Sequence, residues 1–247
     1  MIMGDWLERE ELLLGSEAVA SLKKANLLAV GLGGVGGIAV EMIVRSGIGS
    51  ITIADGDLVE ETNRNRQIIA LTNTVGRKKT EVLAERLRLI NPDLKINVID
   101  QFLKAEDMEN LTGSGNFHCV LDAIDTLAPK ISLIKAAVSK KVPVVSSMGS
   151  GAHLDPEAIR CVPVMKTFSC PLAKAVRNGL RGIPAEELKL CQAVFTTEPP
   201  VKSAVLDTNT MTCNKRAMQG TVSYMPALFG CRCAAEVIRI LKGERYK

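Results

Sequence analysis

The sequence predicts an α/β fold: a doubly wound, mainly parallel sheet, with additional antiparallel strands and helices in the C-terminal part. Three observations carry this. A short apolar run, Leu27 to Val30, meets a glycine cluster and then an apolar pattern of helical spacing through Ile38, Met42 and Ile43. A β-branched run, Ser50 to Ala54, closes on Asp55, which follows Gly36 by 19 residues. Runs of strand length then alternate with helical patterns as far as Ser146, the sign of repeated strand-helix-strand units.

In chain order, Leu7 to Leu22 reads as one or two short helices, with Leu12, Leu13, Ala18, Val19 and Leu22 at helical intervals around a Gly15-Ser16 break. After the first strand, turn, helix and second strand, Leu58 to Thr74 is a polar loop. Thr74 to Ile90 is an amphipathic helix with Val82, Leu83, Leu87 and Ile90 on one face, ended by Asn91-Pro92. Ile96 to Ile99 is a third strand, Ala105 to Leu111 a helix and Phe117 to Leu121 a fourth strand. A helix from Pro129 to Ser139 and a strand from Val142 to Ser146 complete a five-stranded unit. Beyond Gly149-Ser150-Gly151 the pattern changes. Ala158 to Val164 and Ala193 to Thr196 read as strands, Leu172 to Leu180 as a helix, and Met218 to Leu241 contains a closing helix striped by Ala234, Val237, Ile238 and Leu241. Glu198 to Asn214 shows no periodicity and is expected to be mobile.

The glycines Gly31, Gly33, Gly34 and Gly36 spell GxGxxG between strand and helix. Such a turn lets backbone approach a phosphate while the helix N-terminus directs N–H dipoles at it, and Asp55 at the next strand end is placed for a ribose hydroxyl. A tight turn without a ligand would explain the glycines alone; the acid in register favours nucleotide binding and leaves the nucleotide open. The loop carries Asn63-Arg64-Asn65-Arg66-Gln67, suited to phosphate because guanidinium groups match phosphate oxygens in a fork. Lys79, early in its helix, opposes the helix dipole, which argues for a purpose other than structure. Asp122 and Asp125 end the fourth strand and are expected to share a crevice with Asp55.

With 47% apolar residues the chain can bury a core, and no apolar run is long enough to span a bilayer. Only 3% are aromatic, so stacking platforms for single-stranded nucleic acid are not evident. The net charge of +4 is uneven: residues 156–247 hold 14 Lys+Arg against 7 Asp+Glu, so any polyanion contact belongs there. Seven cysteines without a CxxC pair, behind an acidic N-terminus with no signal-peptide core, point to reduced thiols in a cytoplasm and no structural zinc. His118 and His153 are isolated and read as structural.

With these residues placed, the chain resembles the ubiquitin-activating-type (ThiF/MoeB-like) adenylation family over nearly its whole length, Arg9 to the closing helix. The elements appear in order: GLGGVG, Asp55-Gly56-Asp57, Asn63 to Gln67, Lys79, and Asp122 to Asp125. The resemblance implies a Rossmann-like domain over 1–247, with a helical segment over 1–24, a nucleotide-binding core over 25–155 and a basic substrate-facing part over 156–247. It implies ATP rather than NAD: Gly31, Gly33, Gly34 and Gly36 at the phosphates, Asp55 and Asp57 at the ribose, and Asn63, Arg66 and Lys79 at the phosphates. It makes Arg66, Lys79 and Asp125 catalytic, gives Mg²⁺ to Asp125, and has Arg9 reach the nucleotide of a partner subunit in a homodimer.

Within the family the chain is most similar to the branch that cyclises N6-threonylcarbamoyladenosine in tRNA, through the segments Arg9 to Gly15, Val120 to Asp125 and Leu154 to Ala173. Pro163 and Cys170 stand where that branch tends to carry acids. The branch implies adenylation of the threonyl carboxylate and displacement of AMP by the neighbouring carbamoyl group. RNA would then meet Lys166, Lys174, Arg177 and Arg181. Another implied partner is a protein of a sulfur-carrier or cysteine desulfurase system. Two alternatives stay open: an adenylyltransferase acting on the C-terminal Gly-Gly of a ubiquitin-like sulfur carrier of the thiamine or molybdopterin pathway, and a non-catalytic nucleotide-binding scaffold. Cys161, Cys170 and Cys191 are read as core residues rather than nucleophiles.

Overall fold

A computed structural model describes residues 5–207 and 217–243. Ahead of the sheet lie α1 (Glu8–Leu14) and α2 (Ser16–Lys24), separated at Gly15, whose φ of +86° suits glycine. Val19 and Leu22 are buried, but Leu12 and Leu13 are 83% and 82% exposed, so the apolar face expected across both helices stops at α2. The doubly wound core follows: β1 (Asn26–Val30), α3 (Gly36–Arg45), β2 (Ser50–Ala54), α4 (Lys79–Ile90), β3 (Lys95–Ile99), α5 (Met108–Gly113), β4 (Cys119–Asp122), α6 (Leu127–Ser139) and β5 (Val144–Ser147). The fourth helix begins at Lys79 rather than Thr74, because the chain turns through Gly76 at φ +85° first. Then come β6 (Ile159–Pro163), α7 (Pro171–Gly179), α8 (Ala185–Leu188), β7 (Cys191–Thr196), β8 (Val205–Asp207), β9 (Ala217–Gln219) and α9 (Tyr224–Leu241).

Seven strands form one sheet in the order β3-β2-β1-β4-β5-β7-β6. All neighbours are parallel except β6 and β7, which run antiparallel. The C-terminal part therefore extends the five-stranded unit with one parallel and one antiparallel strand. β8 and β9 form a separate antiparallel pair. The stretch expected to lack structure from Glu198 includes a 3-10 turn at Lys202–Ala204 and then β8; 208–214 lie outside the described residues.

Helices α3, α4 and α9 cover one face, burying Ile43, Leu83, Leu87, Phe229 and Val237; α5, α6 and α7 cover the other, burying Leu133, Ile134, Val176 and Phe195. Central parallel strands are buried on both faces, which is why β1 and β4 read as near-continuous apolar runs rather than alternating ones. The last helix lies close on α3: a Cβ at Gly230 would stand 2.6 Å from the Val35 carbonyl oxygen.

A buried carboxylate ties α3 to α4. Glu41 accepts from Arg86 Nε at 2.5 Å and Arg45 Nη2 at 2.8 Å. Burial pushes the Glu41 carboxyl up, and the bonds and charges of Arg86 and Arg45 outweigh it, leaving the group below its ordinary 4.5. A lowered carboxyl pKa stabilises the fold above the unfolded value and ceases to do so as pH falls through the folded one. The stability difference between the native chain and Glu41→Gln, measured by urea melts, is expected to be full at neutral pH and to shrink in acid below pH 4.5. A difference that stays constant into acid would refute this.

Candidate active site

The chain runs outward from β1 through β2 to β3, then returns to the other side of β1 to begin β4. Register pairs Val30 with both Ala54 and Asp122, so the carboxyl ends of β1, β2 and β4 are level. Connections leaving in opposite directions open a crevice at that point, the usual ligand position in such sheets.

The glycine loop fills one side of it. Gly31 has φ +89°, and a Cβ there would lie 2.6 Å from the Ala123 carbonyl oxygen. A Cβ on Gly36 would come within 1.8 Å of the Gly31 oxygen, and one on Gly34 within 2.9 Å of Pro226 Cβ. Gly33 differs: its closest neighbour would be the Gln67 amide nitrogen at 3.7 Å. Chain packing thus demands glycine at 31, 34 and 36, and of the four Gly33 alone leaves open backbone.

Asp55 clamps this loop. Its Oδ2 accepts the Leu32 N–H at 2.7 Å and its Oδ1 the Asp57 N–H at 2.8 Å. Burial raises its pKa against the pull of Lys79 and these two N–H groups. Each carboxylate oxygen keeps further acceptor capacity for a hydroxyl. Lys79 is the first residue of α4 and buried; its Nζ donates to Asp57 Oδ2 at 2.6 Å and its N–H to the Asp57 carbonyl at 3.1 Å.

The arginine-amide loop is ordered by its own buried member. Asn63 Oδ1 accepts the Glu60 N–H at 3.2 Å across a 3-10 turn, Glu61–Asn63. Arg66 is half-buried, and its Nη1 donates to the Thr62 carbonyl at 2.8 Å and to Asn65 Oδ1 at 2.9 Å. Asn65 in turn donates to the Thr221 carbonyl at 3.0 Å, linking this loop to the segment before α9. The Arg66 backbone oxygen and Cγ lie 3.4 and 3.5 Å from where a Gly34 Cβ would be, so the arginine borders the glycine loop. Gln67 is buried beside Gly33, and its Oε1 has no hydrogen-bond partner among the described residues.

The two acids after β4 part company. Asp125 is exposed at the strand end. Asp122 does not face the crevice with it: it is fully buried, pairing with the equally buried Lys130 at 2.7 Å. Sequence reasoning misses Lys130; its one signal is a lysine inside the apolar helix LAPKISLIKAAVS.

Arg9 is exposed on α1 and bonds to no described residue. Lys166, Lys174 and Arg181 are exposed, with Lys174 on α7 and Arg181 just after it. Arg177 is instead half-buried and donates to Thr167 Oγ1 at 2.6 Å, a packing role that makes it a poor RNA contact. Burial pushes the thiols of Cys191 and Cys161 up, the latter to about 12, so neither is a ready nucleophile. Cys170 caps α7, its Sγ accepting the Ala173 N–H at 3.5 Å, and an acid at this N-cap would make the same kind of bond. His118 Nδ1 accepts the Asn26 N–H at 3.0 Å, a structural bond. His153 is buried beside Glu198, 3.8 Å from it.

The chain is 35% identical to tRNA threonylcarbamoyladenosine dehydratase of Haemophilus influenzae, across 92% of its length and 89% of that protein, and 41% identical to that of Escherichia coli across 68% and 63%. The crystal structure of the Escherichia coli enzyme in complex with ATP superposes with a TM-score of 0.85 at 33% identity, covering 98% of this chain and 97% of that one. A sulfur carrier protein ThiS adenylyltransferase of Escherichia coli is 31% identical over 54% of this chain and 53% of that protein. A sequence model of the ThiF family matches residues 7–247, and the chain belongs to that family.

Proposed function

We propose that this protein dehydrates N6-threonylcarbamoyladenosine in tRNA, using ATP to close the ring. What supports the reading is the glycine loop clamped by Asp55 beside the Lys79–Asp57 pair and bordered by Arg66, in a chain whose high-coverage relatives bear that enzyme's name. The whole of 1–247 acts as one adenylation domain, working in the cytoplasm.

ATP enters as a substrate. Its phosphates meet the Gly33 backbone and the first N–H groups of α3, its ribose hydroxyls meet Asp55, and Arg66 and Lys79 supply fixed positive charge. The threonyl carboxylate attacks the α-phosphorus, the bond to the pyrophosphate oxygen breaks, and pyrophosphate leaves with its electron pair. Charge builds on the oxygens around phosphorus as this happens, so preoriented cations in a crevice poor in water act where they count most. The carbamoyl group then attacks the acyl carbon and loses a proton; AMP departs with the former carboxylate oxygen. The ring has closed with the net loss of one water. The attack is intramolecular, with high effective molarity, so no enzyme thiol is needed.

Among the described residues no group of three His, Cys, Asp or Glu side chains could hold a metal. Mg²⁺ takes one or two carboxylates and completes its shell with phosphate oxygens and water. Asp125 would hold it, where it neutralises phosphate charge. Arg9, exposed and unpaired to described residues next to exposed Leu12 and Leu13, suits a homodimer in which it reaches the partner's nucleotide.

The test is to incubate the purified chain with ATP, Mg²⁺ and tRNA bearing threonylcarbamoyladenosine, then weigh the digested nucleosides. ATP-dependent loss of one water is expected. No mass change, with pyrophosphate exchange only on adding a carrier ending in Gly-Gly, would move the protein to the sulfur-carrier reading. RNA meets Lys174 on α7 with Lys166 before the helix and Arg181 after it: charge reversal of the three should weaken tRNA binding and flatten its dependence on salt, by about 0.7–0.9 log units of slope for each phosphate neutralised by one of them. Unchanged slopes would remove this face from the interface.

A further inference from the structure

Lys130 and Asp122 are a lysine and a carboxylate with no exposed side-chain area at all. Such a pair is seldom kept for stability, because desolvating two charges offsets most of their attraction, and apolar residues of like volume usually serve as well. Its connections point elsewhere. Lys130 Nζ donates to Asp122 Oδ2 at 2.7 Å, to the Ser147 carbonyl at 2.9 Å and to Ser146 Oγ at 3.3 Å, joining α6 to the ends of β4 and β5. Ser146 Oγ donates to the same Asp122 oxygen at 2.5 Å. The other oxygen, Oδ1, accepts the Ile124 N–H at 3.1 Å and so fixes the turn from Asp122 to Asp125.

That turn is the floor of the site. The Ala123 carbonyl lies 2.6 Å from where a Gly31 Cβ would be, and Ala123 Cβ lies 3.2 Å from where a Gly36 Cβ would be. The Ala123 N–H also donates to the Val30 carbonyl at 2.9 Å. One network therefore sets the turn that carries Asp125 and the surface on which the glycine loop rests.

We propose that Lys130 is a positioning residue for nucleotide and metal binding: through Asp122 it holds the Asp122–Asp125 turn so that Asp125 and the glycine loop keep one fixed separation. This role rests on the nucleotide reading of the crevice and adds the residue that sets its geometry. Lys130 itself touches no substrate.

The experiment compares the full-length native chain with Lys130→Met, the neutral pair Asp122→Asn/Lys130→Met, and Ser146→Ala. Two quantities are read: the melting temperature without ligands, and the Mg²⁺ concentration that half-saturates binding of a fluorescent ATP analogue. Lys130→Met leaves a buried carboxylate unpaired and melts lower. The neutral pair recovers much of that loss, yet its Mg²⁺ midpoint stays raised by about 10- to 100-fold, the usual effect of removing an outer-shell partner of a metal site. Ser146→Ala, the mildest change, raises the midpoint less and keeps the fold. Native Mg²⁺ midpoints in both the neutral pair and Ser146→Ala would overturn the proposal and make Lys130 a core residue only. The midpoint needs no RNA, so a failure of the tRNA reading shows separately, in the nucleoside mass.

Discussion

Gly36→Ala is expected to abolish nucleotide binding and lower stability together. The added methyl would sit 1.8 Å from the Gly31 carbonyl oxygen, a backbone atom that cannot swing aside as a side chain can. Either α3 shifts outward, against α9 packed upon it, or the loop opens. Overpacking of this kind costs about 1–3 kcal/mol or more. Gly33→Ala is the informative companion. Its methyl would meet only the Gln67 amide nitrogen at 3.7 Å, so the melting temperature should hold while ATP affinity falls, because the methyl occupies the phosphate's approach. Thermal melts beside ATP titrations separate the two effects. If Gly33→Ala binds ATP as the native chain does, the open backbone at Gly33 is not where phosphate sits.

Asp125→Ala should leave the fold intact and reduce dehydration by about 10²- to 10³-fold, the range for removing one electrostatic contact to a developing transition state. The residue is exposed at the end of β4, so its truncation leaves no cavity. Asp122→Ala, three residues earlier, should cost stability as well as activity. It strands the Lys130 ammonium in a site with no exposed area, and breaking such a pair costs about 3–5 kcal/mol. Urea melts and single-turnover assays on the two variants, run side by side, tell them apart: Asp125→Ala loses rate alone, whereas Asp122→Ala loses both stability and rate. Equal loss of stability in both would mean that Asp125 is also structural and that its catalytic role is wrongly placed.

Much of the fold and site is legible in the sequence because it rests on local or periodic signals. Parallel strands buried on both faces are mostly apolar, so β1 and β4 appear as near-continuous runs and β2 as a β-branched one. The turn between β1 and α3 requires glycine, so it is written in glycines. An arginine-amide cluster in a loop has few structural uses, and Lys79 at the start of a helix opposes its dipole. Those features together mark the crevice and its cations in the residue order alone.

The tertiary structure decided what depends on neighbours remote in sequence. Nothing in D-A-I-D distinguishes its two acids; the fold turns Asp122 inward onto Lys130 from α6 and leaves Asp125 at the surface, because successive strand and turn positions face different ways. Four glycines look alike in G-x-G-G-x-G, yet Ala123, Pro226 and the Gly31 carbonyl close in on three and leave Gly33 open. Of four basic residues in the C-terminal part, Arg177 is drawn in by Thr167, since its place on α7 faces the core. Sequence by itself determined which elements form and which chemistry they carry. Packing determined which of two identical side chains is buried and which stays at the surface, since that choice is made by contacts between segments far apart in the chain and leaves no local mark.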